Sequence, residues 1–324
     1  MSARSPRQAM DAAVEAGRWA PSVHNTQPWV FSVSDEEIGL KADTSRKLSA
    51  GDVSGRELVI SCGAALFTMR TAMRCAGFEP VVRVLPDPDR PGLLATIRPG
   101  QECEPDEETR SLGGEIERRH THRAGFADVP VPDRLVESLV AGALGEGVKL
   151  TPVRSGEAVE VLAALTRAAQ GVQAADQRFS LEIVGWARPP GSTRADGVPA
   201  ESYPREAAPT EAEFPQRHYS WRHGWGAPGG QEETATGVVA VITTREDGRK
   251  EWLATGQALQ RMLLHASAHG VSAAFHTQAL ELDLLREFLR LELFSGEYPQ
   301  MLMRLGVTHE GKGTPRRPLS DVLE

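Results

Sequence analysis

Apolar residues recur at helical spacing in several stretches of this chain and alternate or cluster in others. Met10, Val14, Gly17 and Trp19 give a partly apolar face to a segment that Ser5 and Pro6 open, and the spacing predicts a helix running to Ala20. The serine is suited to the N-cap and the proline to the first helical position. Residues 30–33 and 38–42 read as a strand pair around the polar turn Ser34-Asp35-Glu36. Leu58, Cys62, Leu66, Met69 and Met73 then predict a long helix from about Gly55, with Gly77 as its stop. Residues 80–85 and 93–97 read as strands, and 98–106 as an acidic loop between two halves.

The second half is expected to resume with a helix over 108–119, a strand over 148–153 and helices near 157–173 and 180–186. An apolar strand over 237–243, a helix over 251–269 stopped by Gly270, and a buried strand over 301–306 complete it. Between these lies 188–232, rich in Pro, Gly and Ser and too long for an ordinary connection. Tyr203, Phe214, Tyr219, Trp221 and Trp225 within it favour a lid that packs on something over a purely disordered segment.

Two long helices also share a pattern. Gly63-Ala64-Ala65-Leu66-x-x-Met69 with its stop at Gly77 recurs as Gly256-Gln257-Ala258-Leu259-x-x-Met262 with Gly270. A duplication would put these helices at equivalent places in two similar halves, 1–106 and 107–324, so that one chain mimics a dimer.

Composition narrows the function classes. With 324 residues, 40% hydrophobic and 25% charged, the chain reads as an ordinary globular protein. A net charge of −8 argues against a nucleic-acid surface. No apolar run approaches a membrane span, and residues 1–7 lack the apolar core of a signal peptide. Three cysteines cannot pair fully, so a cytoplasmic location is expected.

Candidate chemistry concentrates in three places. Pro21-Ser22-Val23-His24-Asn25-Thr26-Gln27-Pro28-Trp29 packs short and planar hydrogen-bonding side chains into a loop. Read alone, this fits either a helix-ending turn or a loop that grips a flat heteroaromatic ligand. Arg119, Thr121 and Arg123 alternate, so in an extended segment they face one way and suit a phosphate; a solvated basic helix end fits as well. Arg316 and Arg317 form a second basic cluster in a proline-stiffened tail whose Leu319, Val322 and Leu323 suggest docking. His265 and His269 stand one helical turn apart, a spacing that metal sites use, but without the Glu of a His-Glu-x-x-His site, which disfavours zinc. The run 218–223 is read as lid residues rather than a metal site. No Gly-x-Gly-x-x-Gly or Gly-x-x-x-x-Gly-Lys is present, which disfavours a Rossmann site or P-loop.

Pro-Ser-x-x-Asn-x-Gln-Pro-Trp resembles the flavin-contacting signature of the nitroreductase family, and the full loop is most similar to its Acg-type branch. Arg-His-Thr-x-Arg at 119–123, followed by Phe126 and Pro130-Val131-Pro132, is similar to the family's opening segment, with one extra residue before Phe126. Pro-Arg-Arg-Pro-Leu at 315–319 resembles its C-terminal phosphate clamp. The resemblance implies an α+β nitroreductase-like fold, a fused pseudo-dimer that keeps one FMN site and has lost the other. It assigns Pro21, Ser22, Asn25 and Gln27 to the isoalloxazine, Arg119, Thr121 and Arg123 to the phosphate and ribityl chain, and Arg316 then Arg317 to the phosphate. Backbone N–H groups of 274–278 would lie near the flavin N5 edge. The implied activity is an FMN-dependent NAD(P)H oxidoreductase acting on nitroaromatics or quinones, with no obligatory catalytic side chain. The alternative is a flavin-storing protein whose lid closes the site. The partners are small molecules, with neither nucleic acid nor membrane, and the assembly is a monomer or homodimer.

Overall fold

The protein is described here from a computed structural model, which covers residues 5–206, 208–219, 223–228, 234–308 and 313–324. Helix α1 (Pro6–Gly17) starts as expected: the Ser5 hydroxyl accepts from Gln8 N, and the Gln8 side chain accepts from Ser5 N. It stops at Gly17, short of Ala20, because the chain turns there toward the polar loop. Strands β1 (Trp29–Val33) and β2 (Ile38–Ala42) pair antiparallel around the Ser34 turn. Helix α2 (Arg56–Cys75) follows, and Gly77 beyond it takes a φ of +95° that an L side chain adopts only under strain. Strands β3 (Phe78–Val84) and β4 (Leu93–Glu102) close a four-stranded antiparallel sheet in the order β1-β2-β4-β3. The expected loop at 98–106 is therefore strand to Glu102, because Arg98, Pro99 and Glu102 find partners in Val81, Pro80 and Phe78.

Helix α3 (Glu107–Gly114) is shorter than the sequence suggests, since Gly113-Gly114 ends it before Arg119. Helix α4 (Asp133–Gly145) escapes the sequence reading altogether, although Leu135, Val136, Leu139 and Ala143 are its buried stripe. Strand β5 (Lys149–Pro152) leads into helices α5 (Gly156–Ala175) and α6 (Gln177–Trp186). The short parallel pair β6 (Ala187–Arg188) and β7 (Val198–Pro199) comes next. Strand β8 (Val238–Thr244), helix α7 (Arg249–Ala268), strand β9 (Val271–Phe275), helix α8 (Asp283–Phe288) and strand β10 (Tyr298–Val307) complete the chain's regular elements. The second sheet is antiparallel in the order β5-β8-β10-β9.

The two sheets thus run in the same order when each is counted along its own segment. The long stretch from α5 to residue 237 enters between β5 and β8, where the first sheet has only the Ser34 turn. Helices α2 and α7 cross at the two repeated glycines. A Cβ on Gly256 would fall 1.9 Å from Ile60 O, and one on Gly63 would fall 2.3 Å from Leu253 O. Arg56–Cys75 has the length and apolarity of a membrane span, contrary to the reading of the sequence, yet it is the central helix of the core, buried along most of its length.

The 188–232 segment shares a small core with the elements before it: its Val198, Ala200, Tyr203 and Tyr219 pack with Phe179 and Ile183 of α6 and with Ala187. Trp221, with Ser220 and Arg222, lies outside the described residues. The C-terminal tail docks on the first sheet: Phe31 N donates to Val322 O at 2.7 Å, Glu324 N donates to Phe31 O at 2.9 Å, and Val322 is fully buried. Leu323 remains exposed.

Candidate functional site at the junction of the two sheets

A cleft opens where α2, α7, the 21–24 loop and the 121–123 segment meet. Ile60 and Ala64 of α2, Leu259 of α7 and Met301 of β10 make its apolar wall. Pro21, Ser22, Thr121 and Arg123 line it, as do His24, Glu57, Gln216, Arg217 and Tyr219.

The 22–27 loop is held in an unusual conformation. His24, Asn25 and Gln27 have φ of 47°, 54° and 50°, a region that non-glycine residues enter at a cost of about 1–3 kcal/mol each. Ser22 Oγ accepts from Gln27 N at 2.9 Å, and Val23 N donates to Ser61 Oγ at 3.3 Å, which ties the loop to α2. Asn25 and Gln27 do not line the cleft. Asn25 Nδ2 donates to Gly197 O and Pro315 O, and its Oδ1 accepts from Arg316 Nη1 at 3.2 Å. Gln27 Nε2 donates to Ala195 O, and its Oε1 accepts from Arg317 N, both at 2.8 Å. These two amides clamp the inserted segment to the C-terminal tail. Arg317 Nη1 donates to Gln27 O at 3.2 Å and so braces the same loop.

The 119–123 segment lies along the free edge of β9: Thr121 bridges to Ala273, and His122 N donates to Ala273 O at 2.9 Å. Its arginines meet the tail. Arg119 Nη2 and Arg316 Nη2 both donate to Trp19 O, at 3.5 and 3.1 Å, so two guanidiniums converge on one carbonyl. Arg119 Nε and Nη1 and Arg316 Nε are buried without a partner. Among the described residues no carboxylate pairs with Arg119, Arg123 or Arg316. Burial, with Arg123 nearby, lowers the Arg119 pKa to about 10, and burial with Arg119, Arg123 and Arg18 lowers that of Arg316 to about 9. Cations driven together inside a protein with N–H groups unused are the donor set of an anion site.

Other charges around the cleft are paired. Arg217 binds Glu281 and also donates to Thr277 Oγ1 at 3.0 Å. His24 Nδ1 and Tyr219 Oη share a hydrogen bond of 2.8 Å. Burial, reinforced by Arg217 and Arg123, keeps the His24 pKa well below the usual histidine range, so the ring is neutral. Arg304, fully buried, donates to His276 Nε2 at 2.8 Å and to Ala124 O at 3.1 Å, between the Phe126 and Phe214 rings; it fixes the end of the arginine segment.

Sequence reading singled out neither Glu57, Arg217 nor Arg304. Charged residues inside otherwise apolar stretches were the available signal: Arg56-Glu57 opens an apolar helix, and Arg304 interrupts an apolar strand. His265 and His269 stack at 4.9 Å away from the cleft, and His265 Nε2 contacts Ser138 Oγ at 3.3 Å. His223 stacks on Trp225 at 4.5 Å.

An α+β chain with a ligand cleft between two like-ordered antiparallel sheets, and buried arginines beside it, defines a class of cofactor-binding protein rather than a single activity. Comparison with known proteins gives the family. The nitroreductase family model matches residues 116–307. A Mycobacterium tuberculosis protein provisionally named an NAD(P)H nitroreductase is 33% identical over 311 residues, 94% of this chain and 88% of its own. The Acg protein of the same organism, with the same provisional name, is 28% identical over 316 residues, 96% of this chain and 94% of its own. Among solved structures, a Desulfitobacterium hafniense nitroreductase with bound FMN is 17% identical, with a TM-score of 0.39, over 65% of this chain and 95% of that one. The chain belongs to the nitroreductase family.

Proposed function

We propose that the chain is an FMN-dependent oxidoreductase built as an intramolecular pseudo-dimer, residues 1–106 and 107–324 standing for its two subunits, with one flavin in the cleft between them. The observation that carries this reading is the pair Arg119 and Arg316, which converge on Trp19 O with buried N–H groups left unused and, like Arg123 beside them, have no carboxylate partner among the described residues. A phosphate monoester supplies the missing charge and acceptors. The provisional name of the relatives favours NAD(P)H as donor, and quinones or nitroaromatics fit the cleft's mix of apolar wall and few polar groups.

When bound, FMN supplies the electron-transfer chemistry. Arg119 and Arg316 would hold its phosphate, and Thr121 and Arg123 would bind the ribityl chain. Ile60, Ala64, Leu259 and Met301 would offer an apolar surface to the ring, with Pro21 and Ser22 also lining the cleft. Asn25, Gln27 and Arg317 act at one remove, fixing the strained loop that presents Pro21 and Ser22. The repeated sheet order and the glycine crossing of α2 and α7 support the pseudo-dimer reading. The segment inserted between β5 and β8 is its lid. A cytoplasmic site of action fits the odd number of cysteines, three.

A second reading, flavin storage, is favoured by one observation: Gln216, Arg217 and Tyr219 of the 188–232 segment wall the cleft, latched to Glu281 and His24. An anaerobic visible spectrum of the FMN-loaded protein separates the two. Bleaching of the flavin band within seconds of adding NADPH is the result expected for a reductase. A band that persists, and bleaches only in Tyr219→Ala, identifies storage; failure to bind FMN at all overturns both.

A further inference from the structure

Along one wall of the cleft and behind it lies a largely buried cluster of titratable groups that the flavin reading does not use. It holds three carboxyls, Asp52, Glu57 and Glu281, and two guanidiniums, Arg56 and Arg217. Fully ionised, the cluster carries a net negative charge where little water reaches it, which is costly; one bound proton neutralises it. The hydrogen bonds say which carboxyl holds that proton. Burial raises the Asp52 pKa, but Asp52 accepts from Glu57 N at 3.1 Å and Leu58 N at 2.8 Å, donors that favour its charged form and oppose that shift. Glu281 accepts from Arg217, from Thr277 Oγ1 at 2.8 Å and from Gln173 Nε2 at 2.9 Å. Glu57 has Arg56 Nη2 at 3.2 Å. It is also the one carboxyl of the three that lines the cleft.

Resting on the flavoprotein reading above, we propose that Glu57 is the proton donor of the cleft, giving its carboxyl proton to the oxygen of a quinone that accepts a hydride equivalent from reduced FMN. The carboxyl O–H bond breaks and the proton bonds to a quinone oxygen. The hydride supplies both electrons and the second hydrogen, and the quinone leaves as hydroquinone. Glu57 remains a carboxylate until solvent reprotonates it. The groups facing it from the surrounding elements set its affinity for the proton. Burial and the carboxylates of Glu281 and Asp52 raise it, while Arg56 and Arg217 oppose, and the balance lifts the pKa to about 8. At neutral pH the donor is charged with its proton and sits close to the pH at which it must release it.

Two readouts test the assignment in the full-length protein. The first needs no turnover: the infrared difference between wild type and Glu57→Gln at neutral pH, without FMN, should contain the C=O band of a protonated carboxylic acid that shifts in deuterated water. Absence of that band overturns the proposal. The second follows reoxidation of photoreduced, FMN-loaded protein by 2-methyl-1,4-naphthoquinone in anaerobic stopped flow. The wild-type rate should fall as pH rises through about 8. Glu57→Gln should be slower at neutral pH by roughly 100-fold and lose that dependence. Glu281→Gln, which removes a like charge but keeps the donor, should move the profile to lower pH. A yellow protein whose reoxidation ignores the Glu57 substitution overturns the donor role alone. A colourless protein overturns the flavoprotein reading and the donor role with it.

Discussion

Replacing Arg119 and Arg316 together by methionine is expected to abolish FMN retention while leaving the FMN-free fold as stable as the wild type, or more so. Arg119 is buried and Arg316 half-buried, both donate to the same carbonyl of Trp19, and three of their N–H-bearing nitrogens are buried without a partner. Burial and neighbouring cations, Arg123 for both and Arg119 for Arg316, lower their pKa values to about 10 and about 9, so both still carry charge at neutral pH in a place that disfavours it. Without an anion the two like charges are a source of strain that methionine of similar volume removes, and this offsets the loss of the Arg316 hydrogen bonds to Asn25 Oδ1 and Thr314. With a phosphate bound the sign reverses. Each charge-assisted hydrogen bond then contributes about 1.5–3 kcal/mol, so losing both guanidiniums should weaken FMN by roughly 10²–10⁴-fold. Melting curves with and without FMN, read beside a fluorescence titration, check both halves of the prediction. A double variant that purifies fully yellow removes the phosphate site from these arginines.

Gly256→Ala is expected to be among the most destabilising single-methyl additions in the chain. The added Cβ would lie 1.9 Å from Ile60 O and 2.8 Å from both Ala64 N and Gly63 Cα, all backbone or helix-axis atoms that cannot rotate away. Helices α2 and α7 would have to move apart, opening the packing on both sides of the crossing. A cost of about 3 kcal/mol or more follows from overpacking against backbone. The matched control is Gly171→Ala on α5, where an added Cβ meets nothing within 4 Å; there the methyl should stabilise by about 0.5–1 kcal/mol through helix propensity. Urea unfolding of the two variants should move in opposite directions. Equal, small effects would mean that α2 and α7 do not cross at their glycines. Because Ile60 and Ala64 on α2 and Leu259 on α7 wall the cleft, loss of the crossing should also loosen any ligand held there.

The strands and long helices were readable because local pattern and tertiary role agree in them. The repeated Gly-x-Ala-Leu-x-x-Met pattern pointed to two equivalent helices, and the packing supplies the reason: only glycine lets the two axes approach this closely. Helix α4 was passed over because it follows a Pro-Val-Pro run that looks like loop, although Leu135, Val136, Leu139 and Ala143 recur at helical spacing. The strand extension to Glu102 was hidden by Pro99 and Gly100, residues tolerated there because β4 bulges against β3. Within the site, motif reading named Pro21, Ser22, Thr121 and Arg123, which line the cleft, and Arg119 and Arg316, which gather beside it. It could not foresee that Asn25 and Gln27 turn away to clamp the inserted segment to the tail, since their partners Gly197, Ala195 and Pro315 lie about 170 and 290 positions further along the chain. Glu57 and Arg217 were invisible for the same reason: a charge in an apolar helix or a loop acquires meaning only from what folding sets against it.

The central claim is that one chain builds one flavin site between two similar halves. Its most direct test is a titration of the FMN-free protein with FMN, followed by quenching of flavin fluorescence, at protein concentrations well above the dissociation constant. Saturation at one FMN per chain is the predicted result. Two per chain would mean that both halves keep a site, and none would mean that the buried arginines serve some other anion; either contradicts the account.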